Sequence, residues 1–299
     1  DTILLDSDGN VAVITLNRPD RLNSFNETMH LALQTAMDTV RTSGTRCLLL
    51  TGAGRGFCAG QDLGDRAVDP GADAPDLGRS IERYYNPLIR GIRSLDMPVV
   101  CAVNGVAAGA GANIALACDI VLAGHSASFV QAFCRLGLVP DSGGTYFLPR
   151  LVGSARSMGL AMLGDKISAQ QAEDWGMIWK TVPDQDLMIE AQGLADHLAT
   201  QPTHGLALIK RALHAAAGHD LDTQLDLERD LQREAGRTSD SREGVSAFLA
   251  KRTPTYTGNR GARLGACANH RWGGGRHHGR RCGADCRRRR TSSPAIRSA

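Results

Sequence analysis

Hydrophobic and polar positions alternate in two different ways along this chain. In its first half, short apolar runs dominate. Residues 3–5 (Ile-Leu-Leu) and 11–16 (Val-Ala-Val-Ile-Thr-Leu) flank Asp8-Gly9-Asn10, a turn sequence between two strand-like runs, and predict an antiparallel hairpin. Residues 47–50, 98–103 and 119–123 read as further buried strands. Between them Met29, Leu31, Leu33, Ala36, Met37 and Val40 fall at helical spacing, predicting a helix over 26–40 with Asn26 as its cap. A second helix is predicted from about 79 to 94 and a short buried one over 112–117. Residues 65–78, with Asp69-Pro70-Gly71 and Ala74-Pro75-Asp76, form a loop of the kind that covers a site. Strands alternating with helices imply crossover connections and an α/β fold.

After Gly143 the period becomes helical, over 154–163, 168–175, 185–200, 202–217, 221–234 and 242–251. An α/β front half is therefore expected to lead into an α-helical back half. Helices so numerous either pack back on the sheet or meet a partner subunit.

At 299 residues, 42% hydrophobic and 22% charged, the chain can bury a large core. No apolar run approaches the roughly 20 residues of a membrane helix, and the start at Asp1 resembles no signal peptide, so a cytoplasmic protein without membrane contact is expected. Cys47, Cys58, Cys101, Cys118 and Cys134 mostly sit in apolar runs without metal spacing and read as reduced core thiols; no metal site is expected. The net charge of +3 misleads. Residues 259–299 hold 11 arginines against Asp285 alone, leaving the body at −7, with no general basic face for nucleic acid.

Candidate chemistry sits in three segments. Two are glycine-rich loops after strand-like runs: Gly52-Ala53-Gly54-Arg55-Gly56-Phe57-Cys58-Ala59-Gly60-Gln61-Asp62-Leu63 and Asn104-Gly105-Val106-Ala107-Ala108-Gly109-Ala110-Gly111-Ala112-Asn113. Glycines let a ligand approach main-chain N–H groups, and two such donors on one carbonyl oxygen form an oxyanion hole. Neither loop completes a dinucleotide or Walker pattern; tight turns and close packing are the bland alternative. The third segment, Leu138-Val139-Pro140-Asp141-Ser142-Gly143-Gly144-Thr145, offers one carboxylate in a turn. Pattern alone leaves Asp141 equally a helix cap or an acid/base group whose pKa an apolar pocket would raise. The histidines lack a nucleophile elbow beside them, and Asp62 is expected to brace its own loop.

The runs 56–63, 102–111 and 136–145 resemble the crotonase superfamily, the enoyl-CoA hydratase/isomerase family, and the resemblance spans residue 3 to about 258. Within it the chain looks most like the branch that isomerises ring-epoxidised phenylacetyl-CoA. The resemblance implies an α/β fold with a core of repeated ββα units over 1–200 and a helical trimerisation region over 201–258, as a homotrimer or hexamer. It implies an acyl-CoA substrate with no separate cofactor. It assigns the oxyanion donors to the N–H groups of Gln61 and Ala110 and the acid/base role to Asp141. It places Arg18, Arg21, Leu22, Asn23, Ala59, Asp62, Leu63 and Gly109 along the bound CoA, with Arg18, Arg21 and Lys251 near its phosphates. The two glutamates by which hydratases activate water correspond to Asn113 and Phe133, which disfavours hydration.

Residues 259–299 lie beyond the resemblance. With Leu264 and Ile296 as its only branched aliphatics, this tail is expected to be a disordered, adventitious extension. A nucleic-acid-binding arm on Arg287-Arg288-Arg289-Arg290 and a zinc site on Cys282 and Cys286 are weaker readings.

Overall fold

The computed structural model describes residues 1–66 and 76–259; the tail from residue 260 on and most of the 65–78 loop lie outside them. The chain opens as expected, with β1 (Ile3–Ser7) and β2 (Val11–Leu16) antiparallel in the register Ile3↔Leu16 to Ser7↔Ala12. Their turn closes because Gly9 takes φ +94° and the Asp8 carboxylate accepts the N–H groups of Asn10 (2.9 Å) and Val11 (2.8 Å).

Next come α1 (Glu27–Thr42), β3 (Cys47–Gly52), β4 (Gly56–Cys58), α2 (Leu77–Ser80), a π-helical turn (Ile81–Tyr85) and α3 (Asn86–Ser94). They are followed by β5 (Val99–Val103), β6 (Val106–Ala108), α4 (Ala110–Ala117), β7 (Ile120–Gly124) and β8 (Ser128–Val130). The rest is α5 (Gly144–Leu163), β9 (Lys166–Ser168), α6 (Ala169–Asp174), β10 (Lys180–Val182), α7 (Leu187–Thr200), α8 (Thr203–Ala216), α9 (Leu221–Ala235) and α10 (Ser239–Leu249). Asn26 caps α1 by accepting the Met29 N–H at 2.9 Å.

The main sheet runs β1-β2-β3-β5-β7-β10, parallel from β2 onward. Its strands alternate sides. Val11, Cys47, Leu49, Val100, Ala102, Leu122 and Val182 pack on α7 through Leu187, Ala191, Ala195 and Ala199. Ile14, Leu16, Leu48, Leu50, Cys101 and Val103 join the larger core with Met29, Leu33 and Met37 of α1. Covering both faces is what makes these strands read as unbroken apolar runs. Each large side chain so buried contributes roughly 1.5–3 kcal/mol.

A second sheet, β4-β6-β8-β9, carries the glycine loops. Its strands, like β10, are three residues long, too short for alternation to reveal. The back half accordingly contains β9 and β10 as well as the expected helices. Two helices also depart from expectation. The segment after residue 76 is interrupted by the π-helical turn, and α5 begins at Gly144, kinked at Gly153 (φ 77°, ψ 168°), where the sequence suggested a start near 154.

Helix α8 is pinned by a buried lysine: Lys210 Nζ lies 2.8 Å from Asp119 Oδ2 and donates to the carbonyls of Ile92 (3.0 Å) and Met97 (3.3 Å). The five cysteines of the body are free thiols, four of them buried. Among the described residues no helix is long and apolar enough to cross a membrane.

Candidate active site

The 18–23 segment and the first glycine loop are zipped together. Leu22 (φ 50°) and Asn23 (φ 56°) are consecutive left-handed non-glycine residues, a costly conformation that the surroundings must impose. Asn23 is fully buried: its Oδ1 accepts the Arg18 N–H (2.7 Å), and its Nδ2 donates to the carbonyls of Ala53 (2.9 Å) and Gly56 (2.8 Å). The Ala59 N–H donates to the Leu22 carbonyl at 2.9 Å. Asp62 Oδ2 lies 2.9 Å from Arg18 Nη2, and Oδ1 accepts the Gly64 N–H at 3.1 Å. The Arg18 guanidinium holds the Asp62 carboxyl below its ordinary range. Asp62 thus braces its loop, as expected, and uses Arg18 to do so. Arg21 and Leu63 are exposed. The buried Cys58 thiol, pushed up to about 12 by desolvation, is no nucleophile.

The two glycine loops meet through parallel pairing of β4 with β6. A Cβ on Gly60 (φ +88°) would stand 2.9 Å from the Ala108 carbonyl oxygen and 3.4 Å from the Ala110 nitrogen, so only glycine permits this approach. Gln61 is therefore carried beside the start of α4, where Gly109 (φ 54°, ψ −125°) turns the chain and Ala110 is the first helical residue. First-turn N–H groups have no intrahelical acceptor and sit at the positive end of the helix dipole. The Gln61 side chain is engaged, its Nε2 donating to the Phe25 carbonyl (3.0 Å) and its Oε1 accepting from the buried Tyr85 hydroxyl (3.0 Å). The backbone at 61 is thus held from the side-chain end as well.

Asp141 sits half-buried in a turn in which Ser142 (φ 51°) and Gly143 (φ 82°) are both left-handed. The cap of α5 is Gly143, without any side-chain cap bond, and Asp141 Oδ1 accepts from the Ser142 hydroxyl at 2.9 Å. The N-cap position of α5 thus belongs to Gly143, two residues beyond Asp141. The Asp141 carbonyl accepts the Gly144 N–H (2.9 Å) and the Asn113 Nδ2 (2.8 Å), while Asn113 Oδ1 accepts from Gln131 Nε2 (2.8 Å). The Phe133 ring lies beside Gly109, with its Cζ 3.7 Å and its Cε2 3.8 Å from where a Gly109 Cβ would be. Gln131, Tyr85 and Ser142 were not singled out from sequence. Gln131 alone left a signal, as a polar residue inside the apolar stretch 129–133.

His30 lies within an aromatic cluster with Phe25, Tyr84 and Tyr85, and His204 and His214 lie beside Glu234 (3.0 Å) and Asp119 (3.6 Å). Among the described residues no cluster of three or more His, Cys, Asp or Glu could hold a metal ion. The site as built holds a carboxylate and main-chain donors on connected loops, which suits proton transfer beside a polarised carbonyl.

The family model "Enoyl-CoA hydratase/isomerase" matches residues 6–259. The chain is 64% identical over 249 residues to the "1,2-epoxyphenylacetyl-CoA isomerase" of Escherichia coli K12, spanning 83% of this chain and 95% of that protein. It is 48% identical over 257 residues to a Rhodobacter capsulatus protein named "Probable enoyl-CoA hydratase", spanning 86% and 98%. The solved enoyl-CoA hydratase of Bacillus anthracis superposes with a TM-score of 0.81 at 34% identity, over 87% of this chain and 100% of that one.

Proposed function

We propose that this chain, which belongs to the enoyl-CoA hydratase/isomerase family, is an isomerase of CoA thioesters that converts ring-1,2-epoxyphenylacetyl-CoA to the ring-expanded oxepin thioester. The observation that carries this reading is the Asp141 turn. Gly143 takes the N-cap position of α5, and the main-chain carbonyl of Asp141 is fastened through Asn113 to the helix that begins at Ala110.

The thioester oxygen accepts from the N–H groups of Gln61 and Ala110, which stabilises the enolate-like charge formed when Asp141 removes the proton next to the thioester carbonyl. The ring carbon–carbon bond of the epoxide breaks, and the carboxyl returns the proton at a ring carbon. Atoms and charge balance without water or a separate cofactor. Arg21 and Lys251, both exposed, are the candidates for the CoA phosphates; Arg18 is committed to Asp62. Leu22, Asn23, Ala59, Leu63 and Gly109 shape the CoA-side wall.

Hydration lacks its base. Asn113 is engaged at both ends of its amide and Phe133 is apolar. A double-bond shift in 3-enoyl-CoAs needs the same two parts and is the second activity we propose. A homotrimer, assembled through residues 201–258 in a cytoplasmic setting, is supported by outward Leu213, Leu221, Phe248 and Leu249 (69%, 72%, 83% and 75% exposed) and by a groove of about 630 Å³ between α8 and α9.

The test is incubation with epoxidised phenylacetyl-CoA and, separately, 3-enoyl-CoAs, following mass and ultraviolet spectra. Isomerisation leaves the mass unchanged and shifts the spectrum. A product heavier by one water would replace this reading with a hydratase.

A further inference from the structure

We infer that Asn113 is a positioning residue: its side-chain amide clamps the turn carrying Asp141 to the helix that starts at Ala110, so that proton transfer and oxyanion binding share one rigid frame. What the frame does rests on the isomerase reading above. That the frame exists rests on hydrogen-bond chemistry alone.

A main-chain carbonyl only accepts, so the Asn113 atom 2.8 Å from the Asp141 oxygen must be Nδ2. Oδ1 then faces Gln131, which must offer Nε2, at 2.8 Å. The orientation of both amides follows from one carbonyl. Asn113 is fully buried and Gln131 is 3% exposed, so water does not compete for these bonds. The fit is tight, since a Cβ on Gly144 would lie 2.4 Å from Asn113 Nδ2. Asn113 follows Ala110 by one helical turn on the same face of α4. The carbonyl of the proton-transfer residue is thus bonded one turn from a main-chain donor of the oxyanion site.

An ionised carboxylate at position 113 could only accept, and would repel the Asp141 carbonyl where the amide holds it. The asparagine is therefore more than a missing acid; a turn that presents Asp141 needs a donor here. A purely structural asparagine would cost stability when replaced, with no effect that depends on Asp141. A positioning asparagine acts on turnover through Asp141.

The test uses the full chain with epoxidised phenylacetyl-CoA as substrate, comparing Asn113→Asp and Asn113→Ala alone and in an Asp141→Asn background, with amide hydrogen exchange at Gly144 read in parallel. Asn113→Asp keeps the shape and the Gln131 bond but replaces the donor with a repelling oxygen, whereas Asn113→Ala removes the donor without adding charge; Gln131→Met, which releases the far end of the clamp, serves if those variants fold poorly. The expected result is a kcat lowered by about tenfold or more with KM within about twofold. In the Asp141→Asn background the same substitution has less than about a twofold further effect. Exchange at Gly144 becomes about tenfold faster. A loss of kcat just as large without Asp141, or a raised KM with kcat intact, would overturn the positioning role. Normal turnover in Asp141→Asn itself would instead remove the isomerase mechanism, and Gly144 exchange would still decide whether the clamp exists.

Discussion

Gly111 stands so close to Cys58 that a Cβ on it would lie 2.3 Å from the Cys58 carbonyl oxygen and 2.7 Å from the Cys58 Cβ. Together with Gly105, where a Cβ would lie 2.2 Å from the Arg55 carbonyl oxygen, it forms a close backbone seam between the two glycine loops, next to Gln61 and Ala110.

Gly111→Ala is therefore expected to force the loops apart, because the obstacle is backbone and cannot rotate away. Overpacking of this kind costs about 1–3 kcal/mol. Urea unfolding checks the stability, and turnover of the folded fraction is expected to fall more than tenfold as the donors separate, on the order of a lost oxyanion-hole contact. Wild-type turnover in a folded Gly111→Ala protein would mean that the spacing of the loops does not matter to the chemistry.

Arg18 and Arg21, three residues apart in sequence, are expected to behave differently. Arg18 sits in a part-buried pair with Asp62, the two side chains 17% and 13% exposed. Arg18→Ala is expected to lower stability by about 1–3 kcal/mol, as for a lost charged hydrogen bond. Arg21→Ala is expected to leave stability unchanged and raise KM for the CoA thioester by a few fold, an effect that shrinks with added salt. Equal KM effects with no stability difference would show that Arg18 also reaches the ligand.

Acid is expected to destabilise the fold through His214. Burial, reinforced by Arg93 and Lys210, lowers this imidazole from its ordinary 6.5 to about 4, although Asp119 Oδ1 is 3.6 Å away. Between those values the unfolded chain binds the proton and the folded chain does not, so stability is full above about pH 6.5 and declines toward pH 4. With screening at the partly exposed ring the loss is about 1–2 kcal/mol. Asp119, raised by burial, opposes it at the acid end, because its folded form is the one that protonates earlier. His214→Gln is expected to flatten the decline in urea midpoints between about pH 7 and about pH 4.5; an unchanged slope would assign it to another group.

Where sequence and structure agree, a local rule was enough. The Asp8-Gly9-Asn10 turn, the Asn26 cap and the unbroken apolar runs of β2, β3 and β5 each follow from residues within a few positions of one another. The second sheet was illegible because its strands are three residues long and are specified by glycine contacts with distant backbone. The site divides in the same way. The glycines and Asp141 were legible as chemistry, but whether Asp141 capped a helix depended on where α5 begins, and Gly143 takes that position. The pairing of Arg18 with Asp62 is not legible in the sequence, because the two are close in space and far apart along the chain. In the sequence Asn113 marks only a missing glutamate, because its partners, the Asp141 carbonyl and Gln131, lie 28 and 18 residues away.

Removal of residues 259–299 is expected to leave turnover and melting unchanged. The described chain is tied down as far as Gly258, where Asp240 accepts the N–H groups of Thr257 and Gly258, each at 2.8 Å. Arg46 also donates to the Tyr256 carbonyl at 3.2 Å. A large loss of turnover in the truncated chain would give the arginine-rich segment a part in the enzyme.

The most direct measurement is single-turnover conversion of epoxidised phenylacetyl-CoA by Asp141→Asn, with folding checked by thermal melting. Loss of the acid/base group is expected to slow conversion by about 10²–10⁴-fold while the fold and thioester binding persist. Conversion near the wild-type rate by a folded Asp141→Asn protein would contradict the assignment of proton transfer to Asp141.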